Sequence, residues 1–109
     1  MPVREIAPAA LARRLTAPGA RPVLLDVRTP EEHALVALPE SVLVPLQEFG
    51  ERLGDLDALK GKEVVVYCHS GVRSFHAAAF LGSRGIEASS LAGGIDRYSV
   101  EVDQSLPRY

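Results

Sequence analysis

The stretch Val64-Val-Val-Tyr-Cys-His-Ser-Gly-Val-Arg-Ser74 decides the fold class of this 109-residue chain. Its first four residues are strong β-formers, and a continuous apolar run of this kind is typical of a strand buried on both faces of a parallel sheet. A short loop from Cys68 to Ser74 follows, and an alanine-rich segment of helical character comes after it. A strand that passes through a short loop into a helix predicts an α/β protein.

The same alternation of strand and helix patterns extends along the chain. Strand patterns occur at residues 3–6, 23–27, 42–44, 64–67 and 88–91. Helical patterns lie between them, at residues 8–15, from Pro30 behind an N-cap at Thr29, as two short helices within 46–59, at 73–83 and after Gly94. Strands separated by helices predict parallel pairing. We therefore expect one α/β domain over residues 1–109.

The composition argues against several classes of partner. The chain is 47% hydrophobic and 24% charged, so it is able to bury one core without a disulfide or a metal. Its formal net charge of -2, with no block of like charges, gives no electrostatic basis for binding nucleic acid or a membrane. Cys68, His69 and His76 lack the spacing of zinc-ligand pairs, and we expect no metal and no cofactor. The lone cysteine and the absence of a signal-like segment favour a cytoplasmic location.

The only cysteine, Cys68, stands where a thiolate is readily stabilised. It follows a strand and precedes a helix, and open parallel sheets bind their ligands at this edge. Backbone N–H groups at a helix N-terminus stabilise a negative sulfur, and a nearby arginine adds to that effect. We therefore predict two catalytic residues, with Cys68 as the nucleophile and Arg73 as the group that orients a charged substrate.

The spacing Cys-x-x-Gly-x-Arg fits a loop that closes around one sulfur-sized acceptor. Four residues separate Cys68 from Arg73, and Gly71 permits a backbone angle that other residues resist. A persulfide suits such a loop, because a thiolate that attacks the outer sulfur of a donor becomes Cys68–S–S⁻ before an acceptor removes the sulfur. We predict that the remaining loop residues bind the substrate: His69, Ser70, Gly71, Val72 and Ser74.

A second group of candidate residues ends the strand pattern at residues 23–27. Asp26 and Arg28 lie at the same kind of strand end as Cys68, and neighbouring strands would place them in one crevice. We predict that they support the cysteine loop from behind. Two simpler roles remain open: Asp26 caps the turn into the next helix, and Arg28 pairs with Glu32.

Three motifs, in this order along the chain, resemble those of the rhodanese-like sulfurtransferases. They are Asp26-Val-Arg-Thr-Pro-Glu-Glu32, Cys68-His-Ser-Gly-Val-Arg-Ser74 and Leu91-Ala-Gly-Gly-Ile-Asp96. The resemblance covers nearly the whole chain and implies a five-stranded parallel sheet flanked by helices on both faces. It also implies a sulfurtransferase that moves a sulfane sulfur from thiosulfate or a persulfide to a thiophilic acceptor through a Cys68 persulfide.

The end of the chain carries a closer resemblance. Residues 93–109 look like the tail of rhodanese domains fused to adenylyltransferases of the molybdopterin and tRNA-thiolation pathways. This likeness implies a persulfide donor or a sulfur-carrier protein among the partners, beside a small donor such as thiosulfate.

One segment departs from the family pattern. Val36-Ala-Leu-Pro-Glu-Ser41 stands where many members have Gly-His-Ile-Pro-Gly-Ala, so only the proline is kept. A second departure is Tyr98, at a position that tryptophan often fills in the family. Neither departure falls within the loop that holds Cys68.

Two other functions are compatible with parts of this pattern. Some rhodanese-like domains have lost the nucleophile and act as docking or sulfur-carrier modules, but this chain keeps Cys68, Gly71 and Arg73. Cysteine-dependent phosphatases and arsenate reductases also use a cysteine and an arginine in a strand-to-helix loop. In those families five residues separate the cysteine from the arginine, whereas four residues separate Cys68 from Arg73 in this chain.

Overall fold

A computed structural model describes residues 3–109 of the chain. Its strands are β1 (Arg4–Ile6), β2 (Val23–Asp26), β3 (Val42–Leu43), β4 (Glu63–Tyr67) and β5 (Glu87–Leu91). The helices are α1 (Pro8–Thr16), α2 (Pro30–Leu35), α3 (Leu53–Asp57), α4 (Val72–Ser83) and α5 (Gly94–Glu101), with a 3-10 helix over Leu46–Glu51. Within residues 3–109, no helix is both long enough and apolar enough to cross a membrane.

The five strands form one parallel sheet in the order β1-β5-β4-β2-β3. The predicted strands and helices are confirmed, and their ends differ from the predicted ones by at most two residues. The ladder in fact continues beyond the strand ends, because the N–H of Val27 donates to the Tyr67 carbonyl at 3.1 Å and that of Val44 to the Asp26 carbonyl at 2.9 Å. Residues 1 and 2 of the predicted domain lie outside the described part of the chain.

Helices cover both faces of the sheet, as the family resemblance implied. Successive residues of a strand point to opposite faces, so Val64 and Val66 enter one core cluster while Val65 and Tyr67 enter the other. The first cluster is closed by α3, α4 and the 3-10 helix, and the second by α1 and α5. Burial on both faces explains the unbroken apolar run that ends in Cys68.

The two predicted groups of site residues lie at one edge of the sheet. Strand β2 pairs directly with β4, and its last residue, Asp26, stands opposite Tyr67, the last residue of β4. Cys68 directly follows the end of β4, and Arg28 lies two residues beyond the end of β2. The expected adjacency of the two strands is therefore confirmed.

The N-terminus of α5 supports the cysteine loop from behind. The N–H of Ile95 donates to the Cys68 carbonyl at 2.9 Å, and the N–H of Asp96 donates to the His69 carbonyl at 3.1 Å. This contact requires a glycine at the first position of the helix. A Cβ at Gly94 would lie 2.6 Å from the Cys68 carbonyl oxygen and closer still to the carbonyl group of His69.

Replacing this glycine tests the contact. We expect Gly94→Ala to lower the free energy of unfolding by about 2–4 kcal/mol, because the new methyl group forces two backbone segments apart and the φ of 65° is strained for alanine. Gly82→Ala is the matched control, since a Cβ at Gly82 in α4 meets nothing within 4 Å. Urea denaturation of both variants measures the difference, and equal stabilities would contradict this role of Gly94.

The segment that departs from the family pattern forms a turn anchored to β4. The Tyr67 hydroxyl accepts the N–H of Leu38 at 3.1 Å and lies 2.8 Å from the Ser41 hydroxyl. Within this turn Glu40 has a φ of 62°, in the left-handed region that favours glycine. Glu40 therefore adopts the conformation expected of the glycine that many family members have at this position.

This turn yields a second stability prediction. We expect Glu40→Gly to raise the free energy of unfolding by about 0.5–1 kcal/mol, because glycine relieves the positive-φ strain at a smaller entropic cost. Glu40→Ala is the control: it removes the same exposed ion pair with Arg21 but keeps the strain. Thermal unfolding compares the two, and a glycine variant no more stable than the alanine variant would contradict the interpretation.

Candidate active site

The cysteine loop runs from the end of β4 into the first turn of α4. Gly71 is the N-cap of α4 and has a φ of 102°. A Cβ at this position would lie 3.2 Å from the Gly93 nitrogen and 3.4 Å from the Leu91 carbonyl oxygen. Glycine thus serves both the left-handed turn and the close packing of the loop against the backbone behind it.

Two backbone N–H groups of the loop point at the Cys68 sulfur. The N–H of Gly71 donates to Sγ at 3.1 Å, and the N–H of Ser74 donates to it at 3.3 Å. The Ser74 Oγ lies 3.5 Å from Sγ and 2.7 Å from the Ser90 Oγ. Hydrogen bonds strengthen when the acceptor carries a negative charge, so the two N–H groups are suited to hold a charged sulfur atom in this loop.

Cys68 lies at the base of the loop rather than on the protein surface. Only 1% of the residue is exposed, and it belongs to the core cluster that α4 closes. The outer side of the loop is formed by Ser70, which is exposed, and by Val72, which is 64% exposed.

An open surface cavity of about 350 Å³ adjoins the outer side of the loop. Two of its lining residues, Val72 and Phe75, expose apolar side chains on the first turn of α4. The complete lining is Glu5, Ser70, Gly71, Val72, Phe75, His76 and Gly93. His76 therefore lies on the surface beside the loop.

Arg73 is paired with a carboxylate that its sequence context did not reveal. Its Nη1 donates to Glu32 Oε1 at 2.7 Å and its Nη2 donates to Oε2 at 2.9 Å, a bidentate ion pair between α4 and α2. The hydrogen bonds from Arg73 hold the pKa of Glu32 far below its usual range; burial opposes this, and bonds from Tyr109 and Thr29 add to it. Glu32 is therefore a carboxylate at neutral pH.

Asp26 and Arg28 form a buried ion pair with each other. Both side chains are fully buried, and the guanidinium donates to Oδ1 at 2.9 Å and to Oδ2 at 2.7 Å. Burial acts to lower the pKa of Arg28, but the bonds to Asp26 and Tyr109 outweigh it and raise that pKa above its ordinary value. The suggested pairing of Arg28 with Glu32 is wrong, because the Arg28 side chain is buried and pairs with Asp26. Glu32 forms its ion pair with Arg73 instead.

The Asp26 carboxylate also caps its own turn. Its Oδ1 accepts the backbone N–H of Arg28 at 3.0 Å, which is the simpler role that the sequence left open. Its Oδ2 lies 2.8 Å from Nδ1 of His33 in α2. These contacts tie the end of β2 to α2, at the edge where the cysteine loop begins.

Tyr109 joins these groups to the cysteine loop, and sequence reasoning missed it. Its hydroxyl accepts from Arg28 Nη1 at 3.0 Å and donates to Glu32 Oε2 at 2.6 Å. Its ring packs against the ring of His69, with the centroids 4.4 Å apart. Burial and the bond to Glu32 raise the pKa of Tyr109 to about 12, against the opposing effect of Arg28, so the hydroxyl stays protonated and able to donate.

The structure thus brings most of the predicted site residues to one place. Gly71 and Ser74 contact the sulfur through their N–H groups, and Ser70 and Val72 are exposed residues of the same loop. His69 is half-buried under Tyr109, and its Nδ1 is buried without a hydrogen-bond partner among the residues that the structure describes. Arg73, Asp26 and Arg28 lie at the same edge of the sheet, each in an ion pair.

Comparison with known proteins shows which family the chain belongs to. Residues 7–101 match the model of the rhodanese-like domain. A sulfurtransferase from Allochromatium vinosum is 36% identical over 94 residues, which span 85% of each chain. The tRNA uridine(34) hydroxylase of Cytophaga hutchinsonii is 39% identical over 83 residues, and the match spans 72% of this chain but only 27% of that longer protein.

Solved structures show the same fold. The crystal structure of a rhodanese-related protein from Thermoplasma volcanium superposes with a TM-score of 0.80 at 30% identity and covers 91% of this chain and 93% of that one. The fold, the domain match over residues 7–101 and the relatives named sulfurtransferase agree with one another. The chain belongs to the family of rhodanese-like domains.

Proposed function

We propose that this chain is a sulfurtransferase in which Cys68 carries a sulfane sulfur from a donor to a thiophilic acceptor. The observation that supports it most strongly is the convergence of the Gly71 and Ser74 N–H groups on the Cys68 sulfur. Donors placed in advance around a reacting atom stabilise charge without having to reorganise during the reaction. The same two groups serve the thiolate at the start of the cycle and again when the acceptor leaves with its sulfur.

The proposed reaction is a double displacement. In the first half, the Cys68 thiolate attacks the outer sulfur of thiosulfate; a new S–S bond forms, the donor's S–S bond breaks, and sulfite departs with the electron pair. In the second half, an acceptor thiolate attacks the outer sulfur of the persulfide. Cys68 then leaves as a thiolate, so the cycle needs neither an external oxidant nor a cofactor.

The burial of Cys68 favours donors that present a bare terminal sulfur. Because only 1% of the residue is exposed, a bulky group attached to the transferred sulfur would collide with the loop. Thiosulfate and persulfides both end in a single sulfur atom, so we propose both as donors. A thiol or a sulfur-carrier protein is the proposed acceptor, and the apolar surface of Val72 and Phe75 beside the loop offers such a protein a contact.

Arg73 is proposed to orient the charged part of the donor. The pair with Glu32 occupies two of the five N–H groups of a guanidinium and leaves three to meet a substrate. The backbone N–H groups from His69 to Ser74 are proposed to hold the outer sulfur of the persulfide. Asp26 and Arg28 are proposed to act indirectly: Asp26 holds Arg28, and Arg28 binds the hydroxyl of Tyr109, whose ring packs on His69. We place this chemistry in the cytoplasm, where the only cysteine of the chain would stay reduced.

Intact-mass measurement after treatment with thiosulfate tests the proposed function. We expect the wild-type protein to gain the mass of one sulfur atom, to lose it on addition of cyanide, and the Cys68→Ala variant to gain nothing. A docking module would stay unmodified in both forms. If the protein hydrolyses an aryl phosphate and gains no sulfur, the proposal is wrong and the chain is a phosphatase.

A further inference from the structure

Three of the arginines near the cysteine loop, in the described part of the chain, are each paired with their own carboxylate. Arg28 pairs with Asp26, and Arg73 pairs with Glu32. The third pair, Arg108 with Asp96, has two bonds of 2.8 and 3.0 Å and lies beside His69, whose carbonyl accepts the Asp96 N–H. The positive charge of each of these arginines is therefore balanced by a carboxylate, so none of the three presents an uncompensated charge to a dianion.

Glu32 is the carboxylate best placed to influence the donor. Its partner Arg73 stands in the first turn of α4, one residue before Ser74, whose N–H contacts the Cys68 sulfur. The Glu32 side chain is 17% exposed and that of Arg73 37% exposed, so the pair is only partly screened by water. A negative charge brought to the sulfur therefore experiences Glu32 as well as Arg73.

The surroundings hold this carboxylate in place. Its Oε1 accepts the Thr29 N–H at 3.2 Å, as part of the capping box that begins α2, and its Oε2 accepts the Tyr109 hydroxyl at 2.6 Å. Every one of these contacts favours the ionised form of Glu32. A donor that approached Arg73 would thus meet a guanidinium whose charge is already offset and whose partner is fixed.

We propose that Glu32 determines donor specificity by disfavouring doubly charged donors at the Cys68 site. This inference rests on the proposed function, because it concerns the choice among sulfur donors. Thiosulfate carries two negative charges, whereas a persulfide or an organic thiosulfonate carries one. The site therefore favours singly charged sulfane donors, and thiosulfate reacts more slowly than its intrinsic chemistry allows.

Two donors that differ by one charge test the proposal. Thiosulfate and methanethiosulfonate both deliver a terminal sulfur to the Cys68 thiolate, and they release sulfite and methanesulfinate respectively. We expect Glu32→Gln to raise the thiosulfate-to-methanethiosulfonate ratio of kcat/KM by roughly three- to ten-fold, the effect of removing one unit charge near a partly exposed group. Glutamine also satisfies the capping box, so the variant should keep the start of α2.

Two further variants serve as controls. Asp57→Asn removes the charge of an equally bidentate pair, with Arg84, at the far end of α4, about 16 Å along the helix from Arg73. Tyr109→Phe alters the contacts of Glu32 without removing a charge. We expect the donor ratio of both variants to stay within about two-fold of wild type. An unchanged ratio in Glu32→Gln, or the same rise in Asp57→Asn, would overturn the proposal.

A second readout separates this inference from the proposed function. Alkylation of Cys68 by iodoacetate and iodoacetamide compares an anionic with a neutral reagent and requires no sulfur transfer. We expect Glu32→Gln to raise the iodoacetate-to-iodoacetamide rate ratio in the same direction. If neither donor loads Cys68 but the alkylation ratio still rises, the proposed function fails and the electrostatic role of Glu32 stands. If sulfur is loaded and neither ratio changes, the proposed function stands and the role of Glu32 fails.

Discussion

The hydrogen bonds from the Gly71 and Ser74 N–H groups to the Cys68 sulfur are the interaction on which the rest of the site depends. They exist because Gly71 turns the chain through a left-handed conformation directly before α4 begins. This left-handed turn is supported by the backbone behind it, where N–H groups at the N-terminus of α5 donate to the carbonyls of Cys68 and His69. The loop is thus fixed by main-chain contacts on both sides, and the side chains of its outer face remain free to meet partners.

Charge is distributed around this loop in matched pairs. Asp26 and Arg28 are buried together at the edge of the sheet, and either charge left there without its partner would cost several kcal/mol. The pair of Arg73 and Glu32 lies closer to the surface, where its field acts on arriving molecules. Tyr109 connects the two pairs through its hydroxyl and covers His69 with its ring. The same contacts therefore secure the fold and set the electrostatics of the site.

The sequence predicted the sheet, its helices and the position of Cys68, because these depend on local patterns. An apolar run, an N-cap followed by proline at residues 29 and 30, and a glycine before a helix each act over a few residues. The partner of Arg73 was not predictable in this way, since Glu32 lies 41 positions away and only the tertiary fold brings the two side chains together. Tyr109 was missed for the same reason, and the left-handed Glu40 was missed because glutamate carries no signal for a positive φ.

Amide NMR of the loop tests the central claim most directly. If the Gly71 and Ser74 N–H groups donate to the Cys68 sulfur, their proton resonances should move downfield together as rising pH ionises the thiol, because the hydrogen bonds strengthen with the charge of the acceptor. The Cys68→Ala variant should show no such transition. Two resonances that stay in place, or that move alike in Cys68→Ala, would contradict the account.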